Sequence, residues 1–215
     1  WNPVKGECPY GCSYCYVSRI YKRFKKEQKP LGLDSYEATA NLGKYRTVFV
    51  CSGCDLFHPD VPDIWIEYIG QQAFDFSLNR YILHTKNPER AANFFCDFPI
   101  DTVLCATIES NRHYPEISSA PSPYKRMIGL QKWHGPRMIT IEPIMDFSPV
   151  EFSILINSCE PEQVNIGANS GRNKLPEPSR EKVEELIKLL DHPIKIHLKK
   201  NLWRILPESR HYGDA

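Results

Sequence analysis

Residues 47–55 read Thr-Val-Phe-Val-Cys-Ser-Gly-Cys-Asp. A short β-branched and apolar run passes at once into a small, polar turn. That is how a strand covered on both faces reads when it ends in a loop. The pattern recurs along the chain. Runs of this kind occur at Trp1–Val4, Thr47–Val50, Tyr81–His84, Thr102–Thr107, Met138–Ile141, Val164–Ile166 and Ile194–Leu198. Helical patterns fall between them, at Cys15–Glu27, Asp63–Ser77, Pro88–Phe95, Ser122–Trp133, Val150–Ser158 and Ser179–Leu190. In the last of these Ser179 is a cap, Glu181 suits the first turn, and Val183, Leu186, Ile187 and Leu190 make one apolar stripe.

Strand and helix in repeated alternation predict parallel strands joined by right-handed crossovers. A polar group follows each strand: the cysteine loop, Ser52-Gly53-Cys54-Asp55, Thr85-Lys86-Asn87, Glu109-Ser110-Asn111, Glu142, then Asn165 with Gly167 and Asn169, and Lys199-Lys200-Asn201. A barrel brings all these strand ends to one mouth, where such folds place their chemistry. An open sheet would not. The sequence therefore predicts an α/β fold, a partial TIM-like (β/α) barrel of six or seven parallel strands in a single domain, 1–215. Its cysteine loop spans 5–16, and its C-terminal strand and tail span 192–215.

At 41% hydrophobic residues the 215-residue chain can bury one core. A net charge of +1 argues against a strongly basic nucleic-acid binder and leaves a local basic groove open. One such place is Lys22, Arg23, Lys25 and Lys26, with Tyr21 and Phe24 interleaved. No run approaches the roughly 18 apolar residues of a membrane span, and no export signal is evident. A cytoplasmic location is expected. The eight cysteines agree, because three of them crowd into residues 8–15. Crowded thiols without an export signal read as metal ligands in a reducing compartment.

The crowded three form Cys8-Pro-Tyr-Gly-Cys12-Ser-Tyr-Cys15. Three thiolates on one short loop can take three corners of a cubane iron–sulfur cluster, leaving one iron open to another ligand. Gly11 lets the loop fold tightly. The alternative is a zinc-stapled nucleic-acid-binding module without catalysis, completed from Cys51 or Cys54.

The C-x3-C-x2-C spacing, with aromatic Tyr14 before the third cysteine, resembles the signature of the radical S-adenosylmethionine superfamily. Trp1-Asn-Pro-Val-Lys-Gly6, Val48–Phe57, His84–Arg90, Thr107–Asn111 and Ile141–Ile144 extend the likeness to short radical S-adenosylmethionine proteins of phages and mobile elements, distantly similar to spore photoproduct lyase. The resemblance implies a 4Fe-4S cluster on Cys8, Cys12 and Cys15. It implies reductive cleavage of S-adenosylmethionine to methionine and a 5′-deoxyadenosyl radical, which takes hydrogen from a substrate. A nucleotide or nucleic acid is among the substrates it permits. It implies an electron donor such as flavodoxin or ferredoxin.

The same likeness assigns the S-adenosylmethionine contacts. Tyr14 lies near the adenine, Ser52 and Gly53 near the amino group, and Glu109 at the ribose or the methionine portion. Asn111 follows Glu109, and the Arg112 fork suits a carboxylate. Glu142 is a further candidate, since a carboxylate after an apolar strand is seldom buried alone. Gly167 would permit close approach of adenine. Lys86, Lys199 and Lys200 would attract an anion to the mouth.

Overall fold

The computed structural model describes residues 1–171, 173–190 and 193–207. Part of the expected tail, residues 192 and 208–215, lies outside the described residues. Six strands form one sheet: β3 (Thr47–Val50), β4 (Arg80–Thr85), β5 (Val103–Thr107), β6 (Arg137–Ile141), β7 (Gln163–Ile166) and β8 (Lys195–Leu198). They lie in sequence order and every neighbouring pair is parallel. The crossovers carry α3 (Asp63–Asp75), α4 (Pro88–Ala92), α5 (Pro123–Gln131), α6 (Pro149–Ser158) and α7 (Arg180–Leu189). The result is the expected partial TIM-like barrel with six parallel strands.

The core lies between sheet and helices. Ile66, Ile69, Met127, Leu130, Phe152, Ile156, Val183 and Leu186 come from the helices. Tyr81, Leu83, Leu104, Ala106, Ile139, Ile141, Val164 and Ile166 meet them from the strands. The central strand β5 is buried at every position, which explains its unbroken apolar run. The other face of the sheet carries Phe49, His84, Thr107 and Thr140 toward a cavity. Helix starts follow local chemistry. Ser122 and Ser179 accept from backbone N–H groups of Lys125 and Lys182, and Pro88, Pro123 and Pro149 stand in first turns.

The N-terminal segment differs from expectation. Residues 4–5 (β1, Val4–Lys5) do not open the parallel sheet but pair antiparallel with β2 (Gly32–Leu33). Trp1 meets the sheet edge: its amine donates to Phe49 O, and its carbonyl accepts from Cys51 N at 2.9 Å. The short helix α2 (Ser35–Ala38) follows, capped by Asp34. The first long helix, α1 (Tyr16–Arg23), is shorter than the sequence suggested. Lys25 adopts a φ of 50°, and Lys26 N bonds Tyr21 O at 3.0 Å, the bonding of a helix-ending turn that usually holds glycine.

Candidate functional site

The C-terminal ends of the strands, the cysteine loop and α1 enclose a cavity of about 470 Å³. That is within the size range of small-molecule sites. Each expected strand-end group but the fourth reaches it: Ser52 to Asp55 after β3, Thr85-Lys86 after β4, Glu142 after β6, Ala168 to Ser170 after β7 and Lys199 after β8.

The cysteine loop forms one wall. Gly11 has a φ of 56°, a left-handed conformation open to glycine. Cys15 N bonds Cys12 O at 2.9 Å, turning the loop back on itself. A distant segment straps it down: Ser13 N donates to Ile117 O, Ser119 N to Tyr10 O, and Cys12 Sγ lies 3.1 Å from Ser118 Oγ. Cys8, Cys12 and Cys15 are free thiols, each half-buried, and all three line the cavity. Their sulfurs are not drawn together: among the described residues no three His, Cys, Asp or Glu side chains are gathered for a metal ion. The donor set nevertheless fits an iron–sulfur cluster, being three soft thiols on one loop with a wall of other groups opposite.

Tyr14 joins this loop to the core. Its hydroxyl donates to Glu109 Oε1. Glu109 is buried, and its other oxygen accepts from Arg126 Nη1 at 2.7 Å. Arg126, also buried, donates to Thr107 O at 2.9 Å and Pro121 O at 2.6 Å. Lys86 Nζ stands 3.9 Å from Glu109 and 5.5 Å from the Tyr14 ring centre. Burial raises the Glu109 pKa, but Arg126, Lys86 and the Tyr14 hydrogen bond together outweigh it, so the carboxyl lies below its ordinary value. Burial, then the Glu109 charge, pushes the Tyr14 phenol well up.

The opposite wall is also braced. Ser52 Oγ and Gly53 N both donate to Asn2 Oδ1, at 3.0 and 3.3 Å, and Ser52 O accepts from Tyr16 at 2.9 Å. Asp55 accepts from Thr85 Oγ1, Lys86 N and Phe57 N, so it anchors the loop. Cys51 and Cys54 line the cavity as buried thiols, and Cys54 donates to Val4 O at 3.3 Å. Glu142 pairs with Lys199 and accepts from Asn201 Nδ2 at 2.6 Å. A Cβ on Gly167 would stand 2.8 Å from Glu142 Oε1, so this glycine makes room for that carboxylate. On the floor His84 Nε2 lies 2.7 Å from Thr107 Oγ1. Burial, reinforced by Lys86 and Lys199, pushes its imidazole down to about 3.

The structure thus brings Tyr14, Ser52, Gly53 and Glu142 to one cavity with the three cysteines. Glu109 stands behind Tyr14 rather than on the wall. Asn111 is engaged with Glu151 and Ser148 N, and Arg112 with Asp146, away from this cavity. The sequence reading missed Arg126 and Asn2, and it placed Asn201 at the mouth without its partner Glu142. Arg126 carried one faint signal: it sits on the stripe of Pro123, Met127 and Leu130, where an arginine needs a buried acid.

The model of the family described as "Protein of unknown function (DUF5131)" matches residues 1–178. No curated protein matches the chain. Among the solved structures that share the fold are two of spore photoproduct lyase. One is a spore photoproduct lyase double mutant with bound AdoMet and dinucleoside spore photoproduct, with a TM-score of 0.60, 11% identity and 87% of this chain covered. The other is a single mutant of spore photoproduct lyase, with a TM-score of 0.59, 11% identity and 92% covered. The present chain spans 59% of the first and 76% of the second.

Proposed function

We propose that this chain, which belongs to the DUF5131 family, is a radical S-adenosylmethionine enzyme. The observation that carries the reading is the placement of Cys8, Cys12 and Cys15 in one cavity with the strand-end groups of a partial barrel. The bound AdoMet of the lyase that shares this fold supports it. Cys8, Cys12 and Cys15 would hold a 4Fe-4S cluster. When bound, that cluster supplies the electron that breaks a C–S bond of S-adenosylmethionine, giving methionine and a 5′-deoxyadenosyl radical that takes a hydrogen atom from substrate.

The chain's own groups orient the two molecules. Ser52 and Gly53, fixed by Asn2, offer backbone to the amino group of S-adenosylmethionine. Tyr14 presents its ring to the cavity, held by Glu109 and Arg126 in a positioning role. Glu142 and Lys199 supply a paired anion and cation for polar groups of nucleoside or substrate. His84 and Thr107 add uncharged, hydrogen-bonded side chains to a cavity otherwise lined by Lys86, Glu142 and Lys199. The reductant would be a flavodoxin- or ferredoxin-type donor, in a reducing compartment such as the cytoplasm.

Anaerobic reconstitution with iron and sulfide tests the reading. About four irons per chain are expected, as a cubane cluster requires. The electron paramagnetic resonance of the dithionite-reduced protein should change when S-adenosylmethionine is added. A colourless protein holding one zinc, with no response to S-adenosylmethionine, would contradict it.

A further inference from the structure

Helix α1 contains no buried residue, whereas α2 to α7 each bury at least one. Its Tyr16 and Ile20, with Phe24 at its C-cap, lie four residues apart and are 51%, 47% and 62% exposed. They form one apolar stripe about 12 Å long at helical rise. Cations flank it. Between residues 16 and 29 stand Arg19, Lys22, Arg23, Lys25, Lys26 and Lys29 against a single acid, Glu27. Lys22, Arg23, Lys25 and Lys26 form no ion pair among the described residues; Arg23 instead lies over the Phe24 ring at 5.8 Å. A solvated helix face accounts for the charges but not for three large exposed apolar side chains in line.

The stripe continues into the cavity. Tyr16, Val17 and Arg19 line its wall, and Tyr16 is pinned there by its bond to Ser52 O. Arg19 Nε is buried without a hydrogen-bond partner among the described residues, a donor waiting for an acceptor. On the floor, Phe49 and His84 meet edge to face with ring centres 5.5 Å apart, beside the hydroxyls of Thr107 and Thr140. That floor suits a flat, polar ring.

We propose that α1 and the cavity mouth bind single-stranded nucleic acid: phosphates on the cations of α1, bases stacked against Tyr16 and Phe24, and one base admitted to the cavity. The inference rests on reading that cavity as the place where substrate is attacked. Alternating cations and aromatic faces match the alternating phosphates and bases of a single strand. A base paired in a duplex could not reach the floor without leaving its stack. An acidic protein would satisfy the cations but not the exposed aromatic rings of Tyr16 and Phe24 between them.

The test is fluorescence anisotropy of labelled oligothymidylate and oligouridylate, about a dozen nucleotides long to span one site, titrated with the full reconstituted chain. The two oligonucleotides distinguish DNA from RNA. Binding is expected to weaken steeply with salt. Lys22→Glu combined with Arg23→Glu should flatten the log–log salt slope by about 1.4, about 0.7 for each lost phosphate contact. Phe24→Ala should weaken binding about tenfold through lost stacking. All these side chains are exposed, so circular dichroism should be unchanged.

Absence of binding at low salt overturns the proposal. So does binding indifferent to both variants, or a face that captures an acidic flavodoxin and no oligonucleotide. The assay needs no cleavage of S-adenosylmethionine, so its outcome separates from that of the radical reading. 5′-Deoxyadenosine formed without oligonucleotide binding sinks this proposal alone. Binding without 5′-deoxyadenosine sinks the radical reading and leaves α1 a nucleic-acid surface.

Discussion

Arg126→Met removes the guanidinium that closes the far side of Glu109. Both side chains are nearly out of water, with 4% and 2% of their area exposed. The substitution keeps the length and apolar volume of the stem but deletes three hydrogen bonds, to Glu109, Thr107 O and Pro121 O. The largest loss is the uncompensated carboxylate. Breaking one side of a buried pair costs about 3–5 kcal/mol. Lys86, at 3.9 Å, and the Tyr14 hydroxyl remain and set the loss nearer the lower figure.

The sign of the pH dependence makes the prediction specific. In the native protein the Glu109 pKa is lowered, so its contribution is present above the unfolded value of 4.5 and is lost as pH falls through the folded value. Without Arg126, burial dominates and raises the folded pKa above 4.5. The variant's deficit relative to the native protein then narrows as pH falls from 7 to 5. Urea unfolding at both pH values measures this. Fluorescence reports it directly, because Trp133 is fully buried just beyond α5 and donates to Thr102 O. Arg126→Met with Glu109→Gln should recover at least half the loss. A loss below about 1 kcal/mol, well under the cost of stranding a buried carboxylate, an equal loss at both pH values, or a double variant no better than the single would refute the reasoning.

Other expectations follow from single contacts. Lys25→Gly should stabilise the protein by about 0.5–1 kcal/mol in urea titrations, because glycine takes the left-handed helix end without a Cβ penalty; destabilisation would count against that geometry. His84 is held neutral down to about 3, so the unfolded chain takes up a proton first and stability should fall as pH drops below 6.5. The loss is about 1–2 kcal/mol by pH 5, and His84→Gln should flatten that limb of the stability–pH curve. Gly167→Ala would drive a methyl group against the Glu142 carboxylate and disturb its pairing with Lys199. S-adenosylmethionine binding to the reconstituted variant, by equilibrium dialysis, should weaken about tenfold, a 1.4 kcal/mol effect; unchanged binding would remove Glu142 from that site.

The barrel was legible because its strands are buried on both faces and its strand ends are polar. Thr47–Val50 is both the expected and the observed strand, and Ser179 caps α7 as its side chain foretold. The antiparallel β1–β2 pair was not legible, since two-residue strands carry no periodicity. The length of α1 was overread because lysine favours helices, while the left-handed turn at Lys25 is a matter of backbone bonding. Within the site, crowding and spacing marked the three cysteines, while Ser52, Gly53 and Glu142 lie where the chain leaves a strand of the barrel. Their partners come from far away: Arg126 is 17 residues from Glu109, Asn2 is 51 from Gly53, and Asn201 is 59 from Glu142. Only the fold makes those pairs neighbours. Nor could the sequence separate the roles of Asp55, which three donors within the protein fix as a loop anchor.

The most direct test of the central claim is 5′-deoxyadenosine release from the anaerobically reconstituted protein given S-adenosylmethionine and dithionite, beside a Cys12→Ala control. The account predicts 5′-deoxyadenosine from the native protein and none from the variant. No product from a native protein that holds its full iron, or equal product from both, would contradict it.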